Sequence, residues 1–394
     1  MVLVKGSRPA KLEKVVDLLL TPLSPARVYV DLDKLSENLD RLRGLVGPSV
    51  KLMPVVKSFG YGLDSRKLAE TFEASGADYL GVAYPDEGVA LRRHGIHLPI
   101  MVQNVLPHEA SKVVEHRLDA QISDLDTARR LGAHAQAYGR EVGLHLKVDT
   151  GMGRAGVLPR AARELAAALV EVPGCKLVGL MTHLAAADEE AHDEFTRAQI
   201  ASFRELRDDL QDDGIEFEVV HAANSAGSVR FPESHFSMVR SGIGLVGYLD
   251  LDAPEESPFA PIIRFVSQVV GVRELPPGHP VGYGLSWRAS EGHRRLAVVA
   301  VGYNDGYPRH LSNKGWMMIA GTRCPVVGKV CMDVTMVDIS DVSDEVSLGD
   351  EVVVYGTEPE EPDLADMAAL AGTIPYELLT RISPRVRRIY RRER

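Results

Sequence analysis

The chain has 394 residues, enough for two domains, and its 45% hydrophobic and 25% charged composition is that of an ordinary globular protein. A net charge of −10 excludes a general nucleic-acid binder, and three cysteines are too few for a disulfide framework. No apolar run reaches membrane-spanning length and no hydrophobic leader precedes a cleavage site, so the expected location is the cytoplasm.

Residues 1–26 read as an extension, with a short amphipathic helix at Leu12–Leu20 and a Pro-containing linker. A strand at 27–33, open to joining a later β domain, and a helix at Lys34–Leu45 follow. Apolar strand candidates then fall at 51–57, 79–83, 99–103, 119–123, 143–149, 176–182, 216–221 and 238–246. Helical segments separate most of them, among them Asp64–Ala74, Leu125–Tyr138, Arg160–Val170 and Asp193–Leu210. Alternation of this kind predicts a parallel sheet with right-handed crossovers, and eight strands are the number that closes a (β/α)8 TIM-type barrel. The barrel is expected over 27–255. The acidic, Pro-containing segment from Asp250 to Pro258 reads as a linker. Beyond it, β-branched runs at Ile262–Val272, Leu296–Val301, Trp316–Ile319, Pro325–Ile339 and Glu351–Tyr355 predict a mainly antiparallel β domain over 256–394. Short helices are expected near Asp363–Leu370 and Tyr376–Ile382. The seven arginines from Arg381 to Arg394 read as a solvated basic tail.

Chemistry concentrates at predicted strand ends. Lys57 closes the run Lys51-Leu-Met-Pro-Val-Val-Lys57 and is followed by a Gly-rich turn. A lysine held against an apolar strand end loses hydration, which lowers its pKa and frees a Schiff-base nucleophile; a snorkelling surface lysine is the plainer reading. Lys147-Val-Asp-Thr-Gly-Met-Gly-Arg154 contains a bare G-x-G-x-x-G, but on the fifth strand of the series and without an acid at the next strand's end, so it is not a dinucleotide fingerprint. Lys147, Asp149 and Arg154 read as a charged cluster at a barrel mouth, or Asp149 and Arg154 as a pair within a turn. Thr182-His183 and His221 to Ser225 end two further strands, with no carboxylate or Cys at metal-ligand spacing. The amides of Ser241-Gly-Ile-Gly-Leu-Val-Gly247 suit a phosphate, and Arg240 inside an apolar run needs an acceptor. In the β region, Asn304-Asp-Gly306 reads as hairpin chemistry, whereas Tyr283 between glycines is harder to explain by packing alone.

In this order the motifs resemble the alanine racemase family, pyridoxal-phosphate enzymes of fold type III, from about Val28 to Tyr390. The resemblance implies an amino-acid racemase (an isomerase) that uses pyridoxal 5'-phosphate, with alanine the expected substrate. Racemisation of serine or of a broader set is the nearest alternative; a barrel decarboxylase or a cofactor carrier is more remote. It further implies that Lys57 holds the cofactor as an imine and that Tyr283, backed by His183, is the second base. Tyr61, Asn224, Ser225, Gly242 and Ile243 would lie around the cofactor, chiefly at its phosphate, and Arg240 would face the pyridine nitrogen. Arg154 would serve the phenolic oxygen and the substrate carboxylate, steadied by Lys147, which is often carbamylated in the family. Met332 would touch the substrate carboxylate, with Asp333 in support. Tyr283 and Met332 would come from the other subunit of a homodimer with shared sites. No metal, nucleic acid or membrane is expected. Removing a proton from one face of Cα and returning it on the other asks for two opposed bases, which Lys57 and Tyr283 supply. Two departures stand out: Ser58-Phe-Gly-Tyr-Gly-Leu-Asp64 replaces the usual Ala-Asp/Asn-Ala-Tyr-Gly-His-Gly, and Pro384 stands where many members have Tyr.

Overall fold

A computed structural model describes residues 24–252 and 257–392. The expected helix at Leu12–Leu20 and most of the 1–26 extension lie outside the described residues, as do residues 253–256 of the expected linker. Two compact units emerge: one spans Asp31–Ile262, and the other joins the described residues up to Val30 with Ile263–Tyr390.

The strands in the first half of the chain are β1 (Arg27–Asp31), β2 (Lys51–Pro54), β3 (Leu80–Val82), β4 (Ile100–Val102), β5 (Asp119–Ile122), β6 (Val142–Lys147), β7 (Cys175–Met181), β8 (Val219–His221) and β9 (Met238–Ser241). Strands β3 to β8 form a parallel sheet in sequence order, and β2 pairs in parallel with β9. A parallel bridge between Val55 and Gly81 joins β2 to β3, and the Arg240 amide donates to the Ala223 carbonyl beside β8, so the ring closes into the expected eight-stranded barrel. Helices lie between the strands, as at Leu32–Val46, Ser65–Ala74, Leu125–Ala137, Pro159–Val170 and Asp193–Asp212. Their buried positions recur at helical spacing, for example Leu35, Leu39, Leu42 and Val46. Asp31 caps the first of these helices, accepting from the amides of Asp33 and Lys34. Inside the barrel Met53, Met101, Met181 and Met238 pack with Val219, and Tyr79 lies against them. Flexible thioethers suit the irregular interior of a closing barrel.

The other unit is built on β10 (Ile263–Glu274), β11 (Pro280–Val281), β12 (Trp287–Arg288), β13 (Arg295–Val299), β14 (Trp316–Ile319), β15 (Thr322–Pro325), β16 (Thr335–Asp338), β17 (Glu351–Tyr355) and β18 (Arg387–Arg391). Strand β10 pairs antiparallel with β1 and β17 along its first half and with β13 along its second; the main sheet runs β15-β14-β17-β10-β1-β18. Two helices, Leu364–Ala371 and Pro375–Thr380, complete it.

Three expectations are corrected here. The run Pro325–Ile339 is not one strand: β15 ends at Pro325, β16 begins at Thr335, and Gly328 between them takes φ = 76° in a loop. Asn304-Asp-Gly306 is no hairpin tip, because β13 and β14 on either side of it do not pair. Instead Asp305 is buried, accepts from the Gly302 amide (2.9 Å), and takes a two-pronged bond from Arg385 Nε and Nη2 (2.8 Å each). The basic tail is not simply solvated. Arg387–Arg391 is a strand beside β1, Arg385 also pairs with Asp333 (2.8 Å), and Arg388 donates to the carbonyls of Ile382, Ser383 and Val386.

Candidate active site

The carboxyl ends of the barrel strands carry the polar residues singled out above. The apolar run of β2 continues past its end at Pro54 through Val55 and Val56 and delivers Lys57. The next four residues all have positive φ: Ser58 (54°), Phe59 (56°), Gly60 (62°) and Tyr61 (54°). This is one turn of left-handed helix, a conformation that costs L-residues about 1–2 kcal/mol each. The Gly60, Gly62 and Asp64 amides donate to the carbonyls of Val56, Ser58 and Phe59, and the Ser58 amide to Glu87 Oε1 (2.7 Å). Glu87 also accepts from the Ala83 amide (2.7 Å), tying the β2 and β3 ends together.

The end of β6 supplies Lys147 and a loop held by Asp149, whose carboxylate accepts from the amides of Gly151, Met152 and Gly153 at 2.8–3.1 Å. Among the described residues no ion pair joins Asp149 to Arg154, so the paired-turn reading gives way to a carboxylate held by backbone alone. Thr182 and His183 follow β7, where the Thr182 hydroxyl meets that of Thr150 (2.7 Å). After β8, Asn224 caps the helix Ser225–Arg230 by accepting from the Gly227 amide (2.9 Å). Strand β9 contributes Arg240, then Gly242 and Ile243. Ser225 Oγ accepts from the amides of Gly242 (3.0 Å) and Gly244 (3.3 Å), which fixes the two strand ends against each other. A Cβ on Gly242 would collide with the Tyr61 hydroxyl, so Tyr61 sits directly over that backbone.

Lys57, Lys147, Arg154, His183 and Arg240 line a single cleft of about 390 Å³, together with Gln103, Asn104 and Gln121. Its electrostatics are cationic. Burial, and then Arg154 and Arg240, lower the Lys57 pKa against the opposing pull of Glu87. Burial and the same two guanidinium groups push Lys147 well below its ordinary range, and its buried Nζ has no hydrogen-bond partner among the described residues. Burial and Arg154 bring Arg240 down to about 9, so it stays charged at neutral pH. Its guanidinium donates to the carbonyls of Thr182 and Ala222 (2.9 Å each), to His183 Nδ1 (3.1 Å) and to His221 Nδ1 (3.0 Å). Both imidazoles are driven toward the neutral form, chiefly by burial and then by Arg240. The two histidines thus serve as acceptors for a guanidinium.

Tyr283, Met332 and Asp333 belong to the other unit, whose two prominent side chains are open: Tyr283 is 71% and Met332 51% exposed. Tyr283 edges a cleft of about 480 Å³ with His279, Val281, Cys331 and Met336. Glu87, Gln103, Gln121 and His145 were missed as site or supporting residues. His145 had a usable signal, lying two residues before Lys147 and so on the same face of β6.

Residues 30–250 match the family model "Alanine racemase, N-terminal domain" and residues 262–390 "Alanine racemase, C-terminal domain". The alanine racemase of Symbiobacterium thermophilum is 39% identical over 376 residues, 94% of this chain and 98% of that protein. Among solved structures, alanine racemase from Streptomyces coelicolor A3(2) superposes with a TM-score of 0.87 at 35% identity, covering 93% of this chain and 98% of that one. The alanine racemase of Bartonella henselae, described with covalently bound pyridoxal phosphate, gives a TM-score of 0.82 at 28% identity over 93% and 99%. With both family models matched along its length and a relative 39% identical across 94% of it, the chain belongs to the alanine racemase family.

Proposed function

We propose that this chain interconverts L- and D-alanine with pyridoxal 5'-phosphate, as a homodimer in which each cleft is completed by Tyr283 and Met332 of a second copy. The observation that carries the reading is the desolvated Lys57 amine on the wall of a cleft with Lys147, Arg154 and Arg240. Such a lining suits an anionic substrate carboxylate.

The residues fit the cofactor. The Ser225 hydroxyl, the Gly242 and Ile243 backbone and the Tyr61 hydroxyl crowded over Gly242 would hold its phosphate. Arg240 would face its ring nitrogen, His183 would stand behind it, and Arg154 would face its phenolic oxygen, near the substrate carboxylate. Asn224 holds the turn that presents Ser225. When bound, pyridoxal phosphate supplies the electron-withdrawing ring that acidifies the Cα–H of an attached amino acid. Lys57 Nζ, uncharged at lower pH than an ordinary lysine, would hold the cofactor and, once freed from it, would hold or move a proton on one face of Cα. Tyr283 Oη of a second copy does so on the other face, and its exposure in a single chain supports that role. Because His183 Nδ1 accepts from Arg240, its proton rests on Nε2. Arg240 keeps its own proton and would therefore leave the ring nitrogen unprotonated, which would restrain side reactions. Met332 would border the substrate carboxylate, Lys147 would steady Arg154, and Asp333 is fixed by Arg385. The reading places the enzyme in the cytoplasm, in line with its globular composition.

Proton exchange and racemisation, measured across a panel of amino acids with cofactor present, test the proposal. Alanine is expected to be turned over fastest, with a visible cofactor band that Lys57→Ala abolishes. A clear preference for serine or a larger side chain would replace the substrate assignment.

A further inference from the structure

Beneath the cleft, the barrel interior contains a line of polar side chains that the proposed reaction does not use. His221, which accepts from Arg240 through Nδ1, places Nε2 3.0 Å from His145 Nδ1. His145 Nε2 in turn lies 3.9 Å from Asp119 Oδ2, and that carboxylate is bonded at 2.5 Å by the Tyr79 hydroxyl. His145 and His221 are fully buried. Asp119 and Tyr79 face a separate cleft of about 480 Å³, also lined by Arg92 and Lys176, at the amino ends of the barrel strands.

The protons along this line are fixed by chemistry. A guanidinium has donors only, so His221 Nδ1 accepts, and a neutral His221 carries its proton on Nε2. That proton is given to His145 Nδ1, which leaves His145 protonated on Nε2, the nitrogen nearest the carboxylate. The donors therefore point one way, from Arg240 toward Asp119; the last step is electrostatic, because His145 Nε2 has no hydrogen-bond partner among the described residues and faces the carboxylate across 3.9 Å. The line also has room built for it. A Cβ on Gly179 would strike His145 Nδ1, and one on Gly143 would strike Asp119 Oδ1, so two glycines interrupt strands that would otherwise favour larger residues. Arg240 meanwhile has no carboxylate partner among the described residues, and a buried guanidinium requires compensation. Asp119 is the anion at the end of the side-chain path that leads from Arg240 through His221 and His145.

We propose that Asp119 is a positioning residue for Arg240: it anchors an Asp119–His145–His221–Arg240 relay that spans the barrel and sets the charge Arg240 presents to the cofactor ring. The inference rests on the role given to Arg240 above. Burial works against the Asp119 carboxylate, but the neighbouring His145, the Tyr79 hydroxyl and Arg92 outweigh it and hold its pKa low. The anion is thus maintained.

The test uses the full chain with ¹⁵N-labelled histidine, with and without pyridoxal phosphate, as wild type, Asp119→Asn and Tyr79→Phe. In wild type both His145 and His221 are expected to carry the proton on Nε2, already in the cofactor-free protein. Asp119→Asn keeps the shape and removes the charge. It should shift the ¹⁵N signals of His145 and then His221, move the visible band of the bound cofactor, and lower kcat about tenfold with little change in KM, within the coupling range of one hydrogen-bonded network. Tyr79→Phe, which leaves the carboxylate in place, should keep the wild-type tautomers. Finding His145 protonated on Nδ1 in wild type, or wild-type histidine signals and cofactor band in Asp119→Asn, would overturn the relay. A wild-type protein that took up no cofactor would count against the proposed function instead, and the cofactor-free histidine signals would still decide the relay.

Discussion

Gly242 offers a sharp test of the proposed phosphate site, because its replacement by Ala acts on one neighbour. Its φ of −122° is negative, so left-handed strain is not what excludes a side chain. The obstacle is Tyr61: an added Cβ would strike the hydroxyl and stand 2.9 Å from the ring Cζ and 3.2 Å from Cε2. Tyr61 is only 5% exposed and cannot turn away freely. Gly242→Ala should therefore push the hydroxyl off the phosphate. A hydrogen bond to a charged group contributes about 1.5–3 kcal/mol, so cofactor affinity should fall roughly 10- to 100-fold at about 1.4 kcal/mol per decade. Equilibrium titration of the cofactor-free protein, followed by the visible band, measures this directly. Tyr61→Phe removes the hydroxyl alone and should weaken binding to a similar degree. If both changes act on one contact, the double variant should bind within about threefold of the weaker single variant. Additive losses, or wild-type affinity in Gly242→Ala, would refute the reasoning.

Tyr283→Phe should retain the cofactor band but lose about 10²- to 10⁴-fold in alanine racemisation, the usual contribution of a positioned acid or base; turnover at the wild-type rate would remove Tyr283 from the mechanism. Cofactor capture by Lys57 should quicken with pH as the amine loses its proton and level off below the ordinary lysine value of 10.5, since burial, Arg154 and Arg240 lower its pKa; stopped-flow rates that climb through 10.5 would contradict this. The folded chain releases that proton before the unfolded chain does, so the attached stability cost is full below the lowered pKa and disappears as pH rises to 10.5. Asp305→Ala should cost about 3 kcal/mol in denaturant unfolding, because charge-assisted bonds from Arg385 and the Gly302 amide are lost together; a loss below about 1 kcal/mol would show that Arg385 finds equivalent partners.

The barrel was legible because its strands are short apolar runs that end in chemistry: Lys57, Lys147, His183, Ser225 and Arg240 each stand at or just beyond one. The interior below them was not. His145 and Asp119 occupy inward positions where an apolar neighbour on either side makes them look like strand filler, and only the closed ring brings β5, β6, β8 and β9 onto one axis. The Asp305–Arg385 lock was hidden for another reason: Asn-Asp-Gly is a strong local turn signal, and nothing near it in sequence announces a partner eighty residues away. The run from Pro325 to Ile339 misled because apolar residues such as Val327 and Val330 are buried by loops as well as by strands. The left-handed hand of residues 58–61 could not be read at all, since Ser, Phe and Tyr carry no preference for positive φ.

That turn has a consequence for how the loop can change over evolution. Phe59 is 53% exposed, so its identity is nearly free, whereas Ser58 lines the cleft beside Lys57. Gly60 is different: a Cβ there would stand 2.9 Å from the Ser65 amide nitrogen and 3.0 Å from the Leu68 side chain. The usual family run has Ala at this position, so here the Ser65 backbone and Leu68 have closed in on space that an Ala would need. The segment after Lys57 departs from that run and still brings Tyr61 over Gly242. A library built to redirect this enzyme has one open position at Phe59, one on the cleft wall at Ser58, and a tightly packed one at Gly60.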